Sequence, residues 1–452
     1  MRTAVHINDA GITLLDGGKI LYREPGFALL EDNRLTTGDD AFRQARIKPR
    51  HIQNRYWSEL TTEPLADQRR SHFSAADLVS RQLEQIASAG TGTELVIAVP
   101  AYMSPQQMGL LLGIARELRL PVVAMVDAAA AATRREYKGA VPVHVDITLH
   151  STTLARLAQP GQVQVEKTDV LRGCGTHALV DYWLRTVSEA FVQQSRFDPL
   201  HTAETEQALV NKMAGWMSEA ARNDSVRLEI EAGNSTYEAT VESLVFIGAA
   251  APVYQQIASS LRALFRADEV PALQLTDRAA RMPGLAEMLK ARVGGEVFVL
   301  EPGATARGAL TRVRNQGGAG DSVSLIRQLP WDQAAASITN DVTEQTQTGV
   351  PTHMLFGSKA YAVNDSVLTL GSEPSETDRV VLLDTDMPGV SRRHCSLRRV
   401  NGQCVIEDFS RYGTFLNGHR IDGSTVLQLG DSVRIGSPGY EFRLITTDED
   451  GG

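Results

Sequence analysis

The spacing of apolar residues changes near residue 350, and this change restricts the chain to two different architectures joined in series. Before it, short apolar runs alternate with longer segments whose apolar residues recur at helical spacing, which is typical of an α/β domain with mainly parallel central strands. After it, brief apolar segments are separated by Gly, Asn, Asp and Pro, which is typical of an all-β sandwich. A chain of 452 residues is long enough for each unit to have its own core.

The boundary between the two patterns is itself a distinct stretch. It begins near Gly317-Gly318 and continues as a polar sequence with few apolar residues, so we expect a linker there. We predict an α/β domain at 1–314, the linker at 315–350, the sandwich at 351–446 and a disordered tail at 447–452.

Local patterns predict individual elements of the first domain. Leu95–Val99 is a predicted buried strand, and Gln106–Leu118 is its crossover helix. Pro121–Val126 is the next strand, and Asp127–Arg135 is an Ala-rich helix. A further unit of the same alternation is expected around Val253–Phe265.

Charge and hydropathy exclude several kinds of partner. The formal net charge of −9 argues against nucleic-acid binding, because phosphate backbones are bound by concentrated Lys and Arg. The first residues lack the charged-then-apolar pattern of a signal peptide, and Pro121–Thr133, the most apolar stretch, is short and interrupted by Asp127. We therefore expect a cytoplasmic protein with no membrane partner.

The three cysteines show neither a CxxC motif nor a Cys/His metal spacing, so no metal site is predicted. Two of them flank Asn401-Gly402, a dipeptide typical of a two-residue hairpin turn. Such a hairpin pairs Cys404 with Arg399 and Cys395 with Asp408. No disulfide is expected.

Four short motifs stand in the predicted sandwich. They are Gly371-Ser372, Ser391-Arg-Arg-His394, Asp408-Phe-Ser410-Arg-Tyr412-Gly-Thr414 and Asn417-Gly418. Their order and residue types resemble the forkhead-associated (FHA) family, whose pattern is Gly-Arg, Ser-x-x-His, Asp-x-Ser-x-Asn-Gly-Thr and Asn-Gly. The resemblance implies a β-sandwich that docks onto proteins bearing phosphothreonine. A phosphate dianion is well held by a hydroxyl, cationic side chains and backbone N–H groups.

The resemblance divides the loop residues into two groups. Those implied to contact a phosphopeptide are Ser372, Ser391, Arg392, Arg393, Arg411 and Tyr412. Those implied to shape the loops are His394, Gly413, Thr414 and Asn417. Two positions depart from the family, since Ser372 replaces a phosphate-binding Arg and Tyr412 replaces an Asn that reads the ligand backbone. Docking without phosphate therefore stays open as an alternative.

The stretch Leu95–Thr133, which contains Val-Pro-Ala-Tyr and an Ala-rich helix start, resembles the ATPase domain of DnaK-type heat-shock chaperones in the actin-like superfamily. Gly175-Thr176-His177, Leu275–Leu285 and Gly303–Leu310 fall in the same order as in that family. The resemblance implies an actin-like α/β fold over nearly all of residues 1–314. It matches Asp127 to the carboxylate that helps position the attacking water.

The nucleotide loops of that family are altered in this sequence. Actin-like ATPases hold the phosphates with two Gly-rich hairpins, because only glycine lets backbone N–H groups approach so closely. Here the first hairpin reads His6-Ile7-Asn8-Asp9, and the second, from Asp146 to Thr153, has no glycine. The adenosine-side motif reads Asp277-Arg278-Ala-Ala-Arg281. We therefore predict a pseudo-ATPase with no catalytic residue, in which Asp127 and Asp146 are vestigial.

ATP with magnesium is the only cofactor that the resemblance suggests, and the altered loops argue against it. The contacts implied for any bound nucleotide are Asp9, Ser151, Thr152 and Arg281. The leading hypothesis is an adaptor that recruits a phosphothreonine-bearing partner. The first alternative is a nucleotide-driven switch or chaperone-like ATPase with a site built on Asp9, Asp127 and Asp146. The second is a protein that docks without phosphate. No oligomeric state is predicted.

Overall fold

The computed structural model describes the chain in two compact units, residues 1–338 and residues 339–452. It describes all residues except 1, 32–33, 67–71, 267, 314–322, 324, 338–349, 357–358, 375–378, 384–388, 417–418, 430, 436–439 and 446–452. The predicted tail at 447–452, most of the predicted linker and Asn417 lie outside the described residues.

The first unit mixes strands and helices along its whole length. Its strands are β1 Arg2–His6, β2 Ile12–Asp16, β3 Lys19–Glu24, β4 Ala28–Glu31, β5 Arg34–Thr37, β6 Ile52–Gln53, β7 Glu94–Val99, β8 Val122–Asp127, β9 Tyr137–Lys138, β10 Val141–Ile147, β11 Ser151–Ala158, β12 Val163–Arg172, β13 Ser225–Ala232, β14 Ser235–Glu242, β15 Pro271–Leu275, β16 Glu296–Val299, β17 Leu325–Ile326, β18 Gln328–Leu329 and β19 Ala336–Ser337. Its helices are α1 Asp39–Phe42, α2 Ala75–Gly90, α3 Pro105–Glu117, α4 Ala128–Ala132, α5 Thr176–Ser195, α6 Ala203–Ala220, α7 Ser243–Arg262, α8 Asp277–Ala280, α9 Leu285–Val293 and α10 Ala304–Arg312.

Two six-stranded sheets organise this unit. Sheet I has the order β17-β8-β7-β1-β2-β3, and sheet II has the order β16-β15-β10-β11-β12-β18. In sheet I, β1, β2 and β3 are antiparallel neighbours, while β7 and β8 continue from β1 in parallel. Sheet II repeats this arrangement, with β10, β11 and β12 antiparallel and β15 and β16 parallel to β10. The predicted parallel central strands are confirmed.

Helix starts in this unit follow from local capping. Ser74 is the N-cap of α2 and Ser104 is the N-cap of α3, and each side chain accepts the N3 backbone N–H of its helix. The N3 side chains, Asp77 and Gln107, accept the backbone N–H of the N-cap residue in turn. Such capping boxes satisfy backbone donors that a helix end leaves without partners. The strand at 94–99 and the helix at 105–117 lie close to their predicted positions.

The Ala-rich helix is shorter than the sequence pattern predicts. It was expected to run to Arg135, but α4 ends at Ala132 and Thr133 is extended. The guanidinium of Arg312, which is 3% exposed, donates to the carbonyl oxygens of Ala130, Ala131 and Thr133. The carbonyls at this helix end are thus satisfied by a side chain from α10 rather than by further helical turns.

Helix α7 starts ten residues before the unit expected around Val253–Phe265 and contains Pro252 in its interior. Phe246 and Ala250 extend its buried face into the main core of the unit, and this packing offsets the cost of an internal proline. Among the described residues, α7 is the one helix that is long and apolar enough to cross a membrane. Its buried residues also include Tyr254 and Leu261.

Part of the predicted linker is built into the first unit. Leu325–Ile326 pairs with β8, Gln328–Leu329 with β12 and Ala336–Ser337 with β9. These pairs are two residues long, which is too short to give a strand signal in the sequence. They extend the ordered first unit well beyond residue 314.

The second unit is all-β in its described part. Its strands are β20 His353–Phe356, β21 Lys359–Ala362, β22 Leu368–Gly371, β23 Arg379–Leu382, β24 Cys395–Val400, β25 Gln403–Asp408, β26 Thr414–Leu416, β27 His419–Arg420, β28 Ser424–Leu427, β29 Ser432–Ile435 and β30 Tyr440–Ile445. They form one sheet of order β21-β20-β30-β29-β26-β27 and another of order β23-β22-β24-β25-β28. A core that includes Met354, Leu370, Leu397, Ile406 and Phe442 draws residues from both sheets.

The hairpin between β24 and β25 has the predicted register. Asn401 and Gly402 both have positive φ, as a two-residue turn of this kind requires. Arg399 pairs with Cys404, and Cys395 pairs with Asp408. All three cysteines are free and buried.

Trp183 anchors the core of the first unit, because it is 2% exposed and its indole N–H donates to the carbonyl of Phe246 at 3.0 Å. We expect Trp183→Ala to lower the free energy of unfolding of this unit by about 3–5 kcal/mol. Denaturant unfolding followed by tryptophan fluorescence measures this, since every tryptophan precedes residue 339. Tyr182→Ala, on the neighbouring and 37% exposed residue, is the matched control. Equal losses of unfolding free energy in the two variants would contradict the role of Trp183 as a core residue.

Candidate functional site

Three chain segments meet at one end of the C-terminal sandwich: the end of β22, the loop at 391–394 and the loop at 409–413. His394 N–H donates to the carbonyl of Leu370 at 2.8 Å, and Ser372 N–H donates to that of Ser391 at 3.3 Å. A Cβ on Gly371 would lie 1.9 Å from the carbonyl oxygen of Arg392. Only glycine permits this approach of two backbones, so Gly371 places the 391–394 loop against the sheet.

The buried imidazole of His394 joins two of these segments. Its Nδ1 accepts the backbone N–H of Ser391 at 3.1 Å, and its Nε2 lies 3.3 Å from the carbonyl oxygen of Gly413. This pair of contacts defines a neutral ring protonated on Nε2, which then donates to Gly413. Burial lowers the pKa of His394 below its usual value. The ring is therefore a fixed brace between the two loops.

The 408–414 segment is held by its own side chains. Asp408 Oδ1 accepts the backbone N–H of Ser410 at 3.0 Å and the hydroxyl of Thr414 at 2.8 Å. Ser410 Oγ accepts the N–H of Gly413 at 2.7 Å, and Gly413 has a φ of 93°. Partial burial opposes ionisation of Asp408, but the hydrogen bonds from Ser410 and Thr414 outweigh it and lower the pKa of this carboxyl. The loop is thus shaped before any ligand arrives.

Ser391 and Arg411 are in direct contact across the two loops. The Ser391 hydroxyl oxygen accepts the backbone N–H of Arg411 at 3.2 Å. Ser391 is half-buried, and its hydroxyl proton can still donate to an acceptor in front of the loop. The sequence prediction that these loops share one site is consistent with this contact.

The three predicted cations have different surroundings. Arg392 pairs with the carboxylate of Glu373 at 3.3 Å, so its charge is partly compensated. The guanidinium of Arg393 lies 4.2 Å from the ring centre of Phe409, and that of Arg411 lies 5.9 Å from the ring centre of Tyr412. Within the described part of the chain, neither Arg393 nor Arg411 has a carboxylate partner. Aromatic faces orient a cation without neutralising it.

The remaining predicted residues contribute in other ways. Ser372 is half-buried and contacts the 391–394 loop through its backbone N–H. Tyr412 is 63% exposed at the tip of its loop. Sequence reasoning did not include Phe409 among the site residues, although it is 40% exposed and carries Arg393 on its face. The sequence did contain a signal for Phe409, because this residue lies between Asp408 and Ser410 in the Asp-x-Ser motif and so belongs to the same loop.

In the first unit, Arg278 lies between the loop that follows β1 and the end of β10. Its guanidinium donates to Asn8 Oδ1 at 2.6 Å and to the carbonyl of Ile147 at 3.4 Å. Asn8 Nδ2 in turn donates to Asp146 Oδ2 at 2.8 Å, and Asp146 Oδ1 accepts the hydroxyl of Thr276 at 3.0 Å. Asp146 is therefore engaged within the protein.

The two other carboxylates named from the sequence are buried. Asp127 Oδ1 accepts the N–H groups of Ala129 and Ala130, so this residue is the N-cap of α4. Asp9 Oδ1 accepts the N–H of Leu149 at 2.7 Å, and Oδ2 has no hydrogen-bond partner among the described residues. Burial raises the pKa of Asp9 to about 6. Each of these carboxylates therefore uses one oxygen to accept backbone N–H groups.

The other three residues implied as nucleotide contacts also have partners within the protein. Ser151 Oγ lies 2.9 Å from Thr148 Oγ1, and the Thr152 hydroxyl donates to the carbonyl of Cys174. Arg281 donates to Asp277 at 3.2 Å. Over the ranges that the structure describes, no group of three or more His, Cys, Asp or Glu side chains is arranged to hold a metal ion.

Protonation of the His394 brace gives a pH dependence. The pKa of the ring is lower in the folded chain than in the unfolded chain, so unfolding takes up a proton below about pH 6.5. We expect the C-terminal unit to lose stability on acidification, by at most about 1.4 kcal/mol per pH unit for one group. Amide hydrogen exchange in β24 and β25 of the full chain, corrected for intrinsic rates, measures this loss. His394→Gln should be less sensitive to pH over the same interval, and an unchanged slope would contradict the role of the ring.

Comparison with known proteins bears on this site alone. The family model described as FHA domain matches residues 368–436, which contain Ser391, His394 and the 408–414 segment. A search of curated proteins found no match to the chain. The second unit of this protein therefore contains an FHA domain, at residues 368–436.

Proposed function

We propose that this protein is an adaptor that docks phosphothreonine-bearing partner proteins through its FHA domain. FHA domains in general bind phosphothreonine-containing proteins. The observation that carries the proposal is the contact between the Ser391 hydroxyl and the Arg411 N–H, at a loop end where Arg393 and Arg411 keep their charge. We place this docking in the cytoplasm and expect neither nucleic acid nor a membrane as partner.

The chemistry of a phosphate dianion supports this choice. Its oxygens are strong acceptors, and charge-assisted hydrogen bonds to them are roughly twice as strong as neutral ones. In a protein with a formal net charge of −9, such an anion needs a local group of cations. Arg393 and Arg411 meet this need, because their described neighbours are aromatic rings rather than carboxylates.

The two departures from the family pattern set the expected affinity. Ser372 offers only a hydroxyl where relatives have a guanidinium, because its backbone N–H is donated to the carbonyl of Ser391. Loss of a charge-assisted hydrogen bond costs about 1.5–3 kcal/mol. That is roughly a tenfold to hundredfold loss of affinity. We therefore infer moderate rather than tight binding. Docking without phosphate is the second candidate, favoured by the exposed aromatic rings of Phe409 and Tyr412.

For the first unit, we propose a pseudo-ATPase of the DnaK-type, actin-like kind that serves as a scaffold. Its mixed α/β content and the parallel pairing of β1, β7 and β8 agree with what the resemblance implies. The hydrogen bonds of Arg278 to Asn8 and Ile147 support the loss of nucleotide binding, because they fill the space between the two hairpins. Asp127 caps a helix and Asp146 is bonded to Asn8 and Thr276, so neither has the freedom of a catalytic carboxylate.

An ATP-driven switch is the alternative for this unit. One observation favours it: Asp9 is buried, and one of its oxygens has no hydrogen-bond partner in the part of the chain that the structure describes. The complete burial of Asp9 counts against it, because Mg²⁺ usually keeps several of its water ligands and solvent does not reach this carboxylate.

The docking proposal predicts the effect of removing single contacts. Ser391→Ala and Arg393→Ala should each weaken phosphopeptide binding by about tenfold to a hundredfold, because each removes a group that contacts the phosphate. Isothermal titration of the full chain with phosphothreonine peptides selected from a library, and with their unphosphorylated twins, measures this.

Arg398→Ala is the matched control for this experiment, since Arg398 is an exposed arginine on β24 outside the loop. It should leave the affinity within about twofold of the parent. Equal binding of phosphorylated and unphosphorylated peptides, unaffected by Ser391→Ala, would instead favour docking without phosphate.

The pseudo-ATPase proposal predicts that MgATP does not stabilise the first unit. A ligand at about a hundred times its Kd adds about 2.7 kcal/mol to the free energy of unfolding, so specific binding is easily detected. Thermal unfolding of the full chain followed by tryptophan fluorescence, with and without MgATP, should show no shift in Tm. A saturable rise in Tm that is lost in Asp9→Asn would support the switch instead.

A further inference from the structure

A cavity of about 570 Å³ opens within the first unit. This volume lies in the range of small-molecule sites in proteins. Much of its wall is apolar, and Phe27, Phe42, Trp183, Met213 and Met217 all contribute to it. Of these, Trp183, Met213 and Met217 are at most 3% exposed, so the apolar wall is part of the core rather than of a mobile surface. Such a wall suits a ligand with an aromatic or aliphatic body.

A group of three guanidinium ions also lines this cavity. They belong to Arg23, Arg278 and Arg281. Arg23 and Arg281 share a single carboxylate oxygen of Asp277, at 2.8 and 3.2 Å. The hydrogen bonds of Arg278 go to neutral acceptors, an amide and a carbonyl. Even if Asp146 is counted with Asp277, three positive charges face two negative charges. This part of the wall is therefore suited to an anionic group.

The other charged side chains of the wall have partners of their own. Arg46 pairs with Asp181 at 2.6 Å, and Asp39 lies 4.0 Å from Arg43. Glu24 Oε2 accepts the N–H of Asp39 at 3.2 Å, and burial raises the pKa of this carboxyl. Glu24 adds a further carboxylate to the wall, but the charges that act on Arg278 are those of Asp146, Arg23, Asp277 and Arg281. The positive character is therefore local to the arginine group.

We propose that this cavity binds a small organic anion with an apolar body, its acidic group against Arg281 and its body against Trp183 and Met213. Arg281 is the most accessible of the three arginines, with 52% of its side chain exposed. A nucleotide is a poor fit, because Arg278 closes the gap between the two hairpins, where the phosphates would have to lie.

A pair of fluorescent probes that differ in one charge tests the proposal. Anilinonaphthalene sulfonate has an apolar body and one sulfonate, and phenylnaphthylamine is its counterpart without the sulfonate. The full chain should bind the sulfonate at one saturable site. Ala214→Trp, at an exposed position of α6 that lines the cavity, should weaken this binding by about tenfold or more by filling the space. Ala221→Trp, just beyond the same helix and outside the cavity wall, is the control and should leave binding within about twofold.

The variant Arg281→Ala tests whether the charge of the ligand, and not only its apolar body, contributes to binding. It should weaken binding of the sulfonate about tenfold and leave binding of the neutral amine unchanged, because it removes one charge-assisted contact. The proposal is overturned if the two tryptophan variants bind alike, or if Arg281→Ala affects both probes equally or neither. Displacement of the sulfonate by MgATP would also overturn it, since the cavity would then belong to a nucleotide site.

Discussion

Two hydrogen bonds of one buried imidazole determine how the FHA domain presents its binding loops. His394 accepts from the N–H of Ser391 and donates to the carbonyl of Gly413, so a single rigid ring sets the distance between the loops. The hydroxyl of Ser391, the backbone of Arg411 and the guanidinium of Arg393 take their positions from that brace. Because the ring is neutral and fully enclosed, it adds no charge and leaves the surface to the arginines.

The two units use their arginines in opposite ways. In the first unit, Arg278 and Arg312 are directed inward onto backbone carbonyls and an amide, where they join elements that are far apart in the chain. In the FHA domain, Arg393 and Arg411 lie against aromatic faces at the surface. A guanidinium whose donors are bonded inside the protein stabilises the fold. One that rests on an aromatic ring keeps its charge and its donors for a ligand.

The elements that could be predicted are those that depend on neighbours in the chain. The strand at 94–99 follows from a run of buried apolar residues, and the register of the hairpin at Asn401-Gly402 follows from the turn that this dipeptide forms. The end of α4 could not be predicted in this way, because it depends on Arg312, which is 182 residues away from Ala130. The start of α7 before Pro252 depends likewise on packing of Phe246 in the core.

For the site, the sequence by itself determined which residue types stand in the FHA loops, including Ser391, His394 and the two departures at 372 and 412. It also determined that the first unit has no glycine in the loop from Asp146 to Thr153. Only the tertiary structure decided which polar groups are satisfied inside the protein and which remain available. Three contacts illustrate this: the hydrogen bond from Asn8 to Asp146, the position of Arg278 and the contact of Arg393 with Phe409. Each joins chain segments that come together only on folding, so no local sequence pattern predicts it.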